Sequence, residues 1–175
     1  MSFAYNSRDI TIQTSRFFLR PLKVSDATEK YLGWMKEDSI AKYITAATDT
    51  QSLATLEAYI LDKSTKDDCL FLGVFDKKSG EHIGNIKYEP ICFTRKEAVM
   101  GVLLGDSNWR GKNVFNEIFL ASQQWLLDRY SIQSIMLGVD RSNVAAIRAY
   151  EKAGFSIDFV ADNDDSSALK MVFTI

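Results

Sequence analysis

The chain opens its readable pattern with "FFLRPLKVSD", in which apolar and polar positions alternate closely enough to predict a first strand. Asp26 then offers itself as the cap of a helix carrying Tyr31, Leu32, Trp34 and Met35, and Ser52 as the start of a second helix with Leu53, Leu56, Tyr59 and Ile60 on one side. The runs "LFLGVFD" and "HIGNIKYEPI", separated by "KKSGE", read as two strands joined by a glycine-containing turn, and "AVMGVLLG" as the next strand. From there the pattern alternates. A helix is predicted from about Val114 to Arg129, a strand over "SIMLGV", a helix from about Ser142 to Ala153, and a closing strand in "SALKMVFTI". Strand, helix, strand, helix, strand favours an α/β or α+β sheet with helices packed against it. No linker, repeat or low-complexity block interrupts 1–175, so one domain is expected.

Two stretches carry candidate chemistry. In "DSNWRGKNVFNE", Arg110, Gly111 and Lys112 stand just before a predicted helix, whose first N–H groups and positive dipole end suit an anion. In "NVAAIRAYEKAGF", Ser142 or Asn143 can cap the helix, and Gly154 followed by Phe155 suits a left-handed termination. Asn143 and Tyr150 fall on one face of that helix, about 10 Å apart along its axis. Tyr150 is either a half-buried packing residue or a functional phenol, and Asn143 either a cap or a ligand contact.

Composition removes several classes of function. With 21 Lys plus Arg against 23 Asp plus Glu, the chain has no field to hold nucleic acid or an anionic membrane, so any positive site is local. Cys69 and Cys92 lie far apart and His82 is the sole histidine, which suggests neither a zinc cluster nor a disulfide framework; no metal is expected. The opening "MSFAYNSRDI" has no apolar signal core, and no apolar run approaches the roughly 18 residues of a membrane span. A cytoplasmic protein without nucleic-acid or membrane partners is the expectation, as a monomer or a homodimer.

Together the two stretches resemble the GNAT superfamily of CoA-dependent N-acyltransferases, and the resemblance covers most of the chain. "MGVLLGDSNWRGKNVFNE" is similar to the family's central strand, pyrophosphate loop and following helix, and "NVAAIRAYEKAGF" to its later helix. The resemblance implies a mixed, twisted sheet of about six to seven strands flanked by about four helices. It further implies that backbone groups around Leu103 and Leu104 pair with the pantetheine arm of acetyl-CoA. The loop Arg110, Gly111, Lys112, Asn113 and Val114 would hold the pyrophosphate, Asn143 would touch the arm, and Tyr150 would sit near the sulfur. The implied reaction is acetyl transfer from acetyl-CoA to a primary amine by direct attack in a ternary complex.

Several positions depart from that pattern. Asn113 stands where the family's loop has glycine, and Phe115 where it has a small residue; Asn tolerates positive φ, whereas the ring of Phe115 obstructs the helix end unless it turns into the core. Val99 occupies the place where many relatives carry a carboxylate, so the usual general base is missing. Glu89, Glu97 and Asp106 are open alternatives or solvated surface carboxylates, and His82 reads as a hairpin side chain.

The acceptor stays open at this point. "LRPL" and "YLGWMKEDSIAKYI" look most like the branch that modifies N-terminal amines of ribosomal proteins, with amino sugars, aminoglycosides and polyamines as further amine-bearing acceptors. Tyr31, Trp34 and Tyr43 would form one wall of the acceptor groove, or simply pack helix onto sheet. A non-catalytic acyl-CoA sensor is the alternative from another class, favoured by Val99 and Phe115.

Overall fold

The computed structural model describes residues 10–43, 51–158 and 167–175. Of the opening 1–10, considered for a targeting signal, only Ile10 lies among them. One eight-stranded sheet is built from β1 (Ile12–Gln13), β2 (Phe17–Pro21), β3 (Leu70–Asp76), β4 (His82–Cys92), β5 (Glu97–Leu104), β6 (Ser134–Asp140), β7 (Ser156–Ile157) and β8 (Ala168–Thr174). Around it lie α1 (Glu29–Lys36), the single turn α2 (Asp38–Ala41), α3 (Leu53–Thr65), α4 (Val114–Tyr130) and α5 (Val144–Lys152). The strand order is β1-β2-β3-β4-β5-β6-β8-β7. The expected six to seven strands become eight through two short pieces, β1 and β7, each of two residues and too brief to leave a periodic signal.

Both faces of the sheet are covered, and the chain divides its core accordingly. In β3, Leu70, Leu72 and Val74 point to the face that α4 covers with Ile118, Phe119 and Leu126. Phe71 and Phe75 point to the other face, against Tyr31, Trp34, Met35, Leu56 and Ile60 of α1 and α3. Burial on both sides is why "LFLGVFD" reads as a continuous apolar run, with every residue buried. The most enclosed polar contact, Tyr88 Oη to Ser122 Oγ at 2.7 Å, pins β4 to α4 on the first face.

The helix ends follow the sequence with one correction. Ser52 caps α3, accepting from Thr55 N, and Asn143 caps α5, accepting from Ala146 N. Asp26 does not cap α1; Thr28 does, accepting from Tyr31 N at 3.2 Å. Asp26 instead grips Arg20 through two bonds of 2.7 and 2.8 Å and accepts from Lys23 N, because a bidentate guanidinium outcompetes a distant helix start. Gly154, at φ +100°, ends α5 and lets Phe155 N reach back to Tyr150 O at 3.0 Å.

The feature that makes room for a site is the pairing of β5. Against β4 it is antiparallel along its length, from Gly84 opposite Leu104 to Cys92 opposite Glu97. Against β6 it is parallel for three residues only: Glu97, Ala98 and Val99 opposite Ser134, Ile135 and Met136. Beyond Val99 the two strands separate, so Met100–Leu104 presents a backbone edge without a neighbouring strand. At the end of that edge Gly105 lies under the indole of Trp34, where a Cβ would come within 2.0 Å of the ring. Gly105→Ala is therefore expected to cost about 1–3 kcal/mol, the usual range for overpacking, measured by urea denaturation with the slope unchanged.

Candidate active site

The gap between β5 and β6 opens into a cavity of about 580 Å³. It runs through the sheet. On the side of α4 and α5 its wall includes Gly111, Phe115, Asn143, Ala146, Ala149 and Tyr150. On the side of α1 and α3 it includes Tyr31, Met35, Tyr59, Phe71, Asn85 and Lys87. The floor between them is Met100–Leu104 on one strand and Gly138–Asp140 on the other.

At the start of α4, Gly111 (φ +73°) and Asn113 (φ +57°) adopt left-handed backbone, and Asn113 makes no side-chain cap. The first-turn N–H groups of α4 are thus left without a side-chain acceptor, at the positive end of a 17-residue helix. Asn113 holds the conformation that glycine would otherwise supply. Phe115 turns into the core: it is 5 % exposed, stacks on Phe119 and meets the edge of Tyr150 at 4.9 Å. The ring therefore does not block the helix end.

The predicted loop residues divide. Arg110 lines the cavity while donating to Glu37 at 3.0 and 3.1 Å. Lys112 is not on the cavity wall; its ammonium lies over the ring of Trp109 at 5.4 Å, and its carbonyl accepts from Arg16. Val114 is a core residue, 1 % exposed, so only its backbone faces the loop. Leu103 likewise buries its side chain in the α1–α3 core and offers backbone to the gap, beside Leu104. Asn143 and Tyr150 share the cavity wall as the helical spacing predicts, with Asn143 Oδ1 engaged as the cap of α5. Burial pushes the Tyr150 phenol up to about 12.

Each carboxylate weighed from sequence is already engaged. Burial would raise Glu89, but Lys63, Lys66 and Lys87 at 2.8, 2.9 and 2.8 Å hold it down to about 2. Glu97 pairs with Arg95, and Asp106 caps the turn at Asn108 and pairs with Lys30 at 3.1 Å. Glu89 and Asp106 are thus half-buried or buried ion-pair members rather than free surface carboxylates, because neighbouring ammoniums repay their desolvation. His82 is more than a hairpin side chain. Its ring stacks on Phe75, takes the edges of Tyr31 and Trp34, and is kept below its ordinary pKa by burial. Its Nε2–H donates to Gly84 O and Asn85 Oδ1 at 2.9 and 2.7 Å; the carbonyl fixes the tautomer, and the tautomer fixes the Asn85 amide.

Of the aromatic wall, Trp34 and Tyr31 are both core residues, 6 % and 2 % exposed, but Tyr31 borders the cavity, as does Tyr43. Sequence reasoning missed Asn85, Lys87 and Tyr59. For Asn85 and Lys87 the signal was a polar series with Glu89 at i, i+2 and i+4 along one strand; Tyr59, on α3, left none.

A family model for the GNAT acetyltransferase domain matches residues 16–156. The chain belongs to the GNAT acetyltransferase family. No curated protein matches it in sequence. Among solved structures, RimL, a ribosomal L7/L12 alpha-N-protein acetyltransferase in complex with coenzyme A, superposes with a TM-score of 0.81 at 15% identity, covering 95% of this chain and 98% of that one. Mycobacterium smegmatis RimJ in complex with CoA-disulfide gives 0.79 at 13%, covering 96% and 88%. A spermidine N-acetyltransferase chimera from Vibrio cholerae SpeG and hSSAT gives 0.75 at 17%, covering 91% and 96%. At such identities the likeness shows the fold, and the family model shows the enzyme class: this GNAT protein is an acetyltransferase. Among the described residues no helix is long and apolar enough to cross a membrane.

The left-handed Asn113 gives a direct check. Asn113→Ala should lower stability by about 1 kcal/mol, since alanine has no polar group to ease positive φ, whereas Asn113→Gly should be neutral or stabilising; thermal denaturation of the pair distinguishes the two.

Proposed function

We propose that the protein acetylates the α-amine of a peptide or protein N-terminus, using acetyl-CoA, by direct attack in a ternary complex. The carrying observation is the unpaired edge of β5 over Met100–Leu104, with the bare start of α4 at one end and the Tyr150 phenol across the gap. An amide-bearing arm can pair with such an edge as an added strand would. Arg110, Gly111 and the first N–H groups of α4 offer the anion site for a diphosphate. The RimL and RimJ structures with matching folds hold CoA, which supports the same ligand here.

In the reaction the amine lone pair bonds to the thioester carbonyl carbon, N–H groups of the β5 edge stabilise the developing oxyanion, and the C–S bond breaks as the carbonyl re-forms; the nitrogen sheds its proton to water, and water supplies the proton that the departing thiolate takes up. Tyr150 is the donor placed for the sulfur. A phenol near 12 is a weaker acid than a thiol near 8.5, so its work is hydrogen bonding to sulfur as charge develops rather than complete proton transfer. No covalent enzyme intermediate is required.

The choice of an α-amine follows from the engaged carboxylates. Among the described residues, Glu89, Glu97 and Asp106 are all held by cations, and Asp140 accepts from Ser142, which keeps it ionised and weakly basic. An acceptor amine of pKa about 7.7–8.0 deprotonates to water without such help, whereas an alkylamine near 10.4 does not. Among the described residues, the cavity wall also carries Lys87 and Arg110 against the one carboxylate of Asp140, a poor complement to a polyamine.

Thiol release with acetyl-CoA and peptide amines tests the reading, with spermidine as comparison. Peptides should be acetylated and spermidine not; tight CoA binding without release from any amine would leave a sensor instead. The rate at subsaturating peptide should rise with pH and level off above about 8, as the acceptor α-amine loses its proton. Tyr150→Phe should lower kcat about 10²-fold, the lower end for general acids, with CoA affinity and melting temperature nearly kept. The wild-type enzyme should show no alkaline fall from this residue up to about pH 10, where an ordinary tyrosine ionises.

A further inference from the structure

We infer that the acceptor carries a carboxylate close to its reactive amine, and that Lys87 and Tyr59 receive it. The inference rests on the acetyl-transfer reading and names its substrate class: N-termini with an acidic residue at the first or second position.

Lys87 lies on β4 directly opposite Gly101 of β5, the strand with the free edge. Paired strands run about 4.8 Å apart, so Lys87 stands one strand away from the free edge along which the proposed acyl donor would pair. Gly101 leaves the floor beside it open, since a Cβ there would meet nothing within 4 Å. The Lys87 ammonium donates to Glu89 Oε2 at 2.8 Å and to Tyr59 Oη at 3.1 Å. An ammonium has three donors, so one remains. Tyr59 accepts from Lys87, which frees its own O–H to donate, and Tyr59 is also on the cavity wall. One unspent N–H and one O–H, side by side, match the two oxygens of a carboxylate.

Glu89 does not need Lys87. Its other oxygen already accepts from Lys63 and Lys66, and the whole group holds three ammoniums against the two carboxylates of Glu89 and Asp62. Of these three ammoniums, that of Lys87 is the one on the cavity wall. Two residues back on the same face, Asn85 is 3 % exposed, its Oδ1 is taken by His82, and its Nδ2 lies beside the Tyr31 hydroxyl with no partner in hydrogen-bonding geometry. A buried amide donor without a partner is costly in the free protein, and an acceptor carbonyl or carboxylate relieves that cost. The nearby ammonium also disfavours protonation of the incoming amine, which keeps it nucleophilic.

The test uses peptides of identical length beginning Ser-Glu, Ser-Gln and Ser-Lys, with kcat/KM measured by thiol release. The expected order is Glu over Gln over Lys, with about a ten- to hundredfold span between the ends, carried mainly by KM. Lys87→Met should flatten the order, Lys87→Glu should reverse it, and Tyr59→Phe should raise KM for the Glu peptide alone. CoA affinity by calorimetry and the melting temperature report folding of each variant. If a Lys87 variant fails to fold, the wild-type order and Tyr59→Phe decide. Equal kcat/KM for the three peptides, or a preference for acid that survives in folded Lys87→Glu, overturns the inference while leaving acetyl transfer standing. Tight CoA binding with no peptide acetylated overturns both.

Discussion

Three residues of parallel pairing between β5 and β6, Glu97 to Val99, decide what the rest of the molecule is for. Had the two strands stayed together to Leu104, the sheet would be closed and its faces would be two separate surfaces. Their separation exposes a strip of backbone with unspent hydrogen-bonding groups, which a folded protein tolerates only where water or a ligand can reach it. The neighbouring elements keep the strip accessible. Gly138 across the gap projects no side chain, and the packing of Phe115, Tyr150 and Phe155 holds α5 against α4 at the gap's margin.

The charges around the gap are arranged by local pairing rather than by a net field. Glu117, in the first turn of α4, accepts from Thr14, Arg16 N and Arg16 Nε, and these bonds outweigh burial in keeping it ionised. That ties the turn before β2 to the start of α4, the end that offers N–H groups to an anion. Arg110 is tied to Glu37 at the junction of α1 and α2, so the loop entering α4 is anchored from both faces of the sheet. A chain of nearly balanced charge can in this way hold a local positive site and a local carboxylate receptor within one cavity.

How much of this was legible in the sequence varies by element, for physical reasons. α4 and α5 could be read because their caps, spacing and termination are local, and Asn113 because few residues accept positive φ. β1 and β7 could not, since two residues show no period and exist only through their partners. The engagement of Glu89 and Asp106 was likewise hidden: Lys63 comes from α3 and Lys30 from α1, and nothing in the sequence brings them to those carboxylates. Asp26 misled because the same side chain suits a helix start and an arginine, and the tertiary neighbour won. The cavity's α1–α3 wall was only half visible, because Trp34 and Tyr31 are both buried and only the fold shows that Tyr31 is the one bordering the cavity.

The alternation of β3, with Leu70, Leu72 and Val74 in one core and Phe71 and Phe75 in the other, separates the molecule into two packing problems that share a sheet but few side chains. Substitutions in separate clusters combine additively, so repacking α1 and α3 leaves the α4 face undisturbed. Away from the gap between β5 and β6, the sheet acts as a partition. The α1–α3 side can drift in sequence and remodel its wall of the cavity, while the α4 side packs under its own constraints.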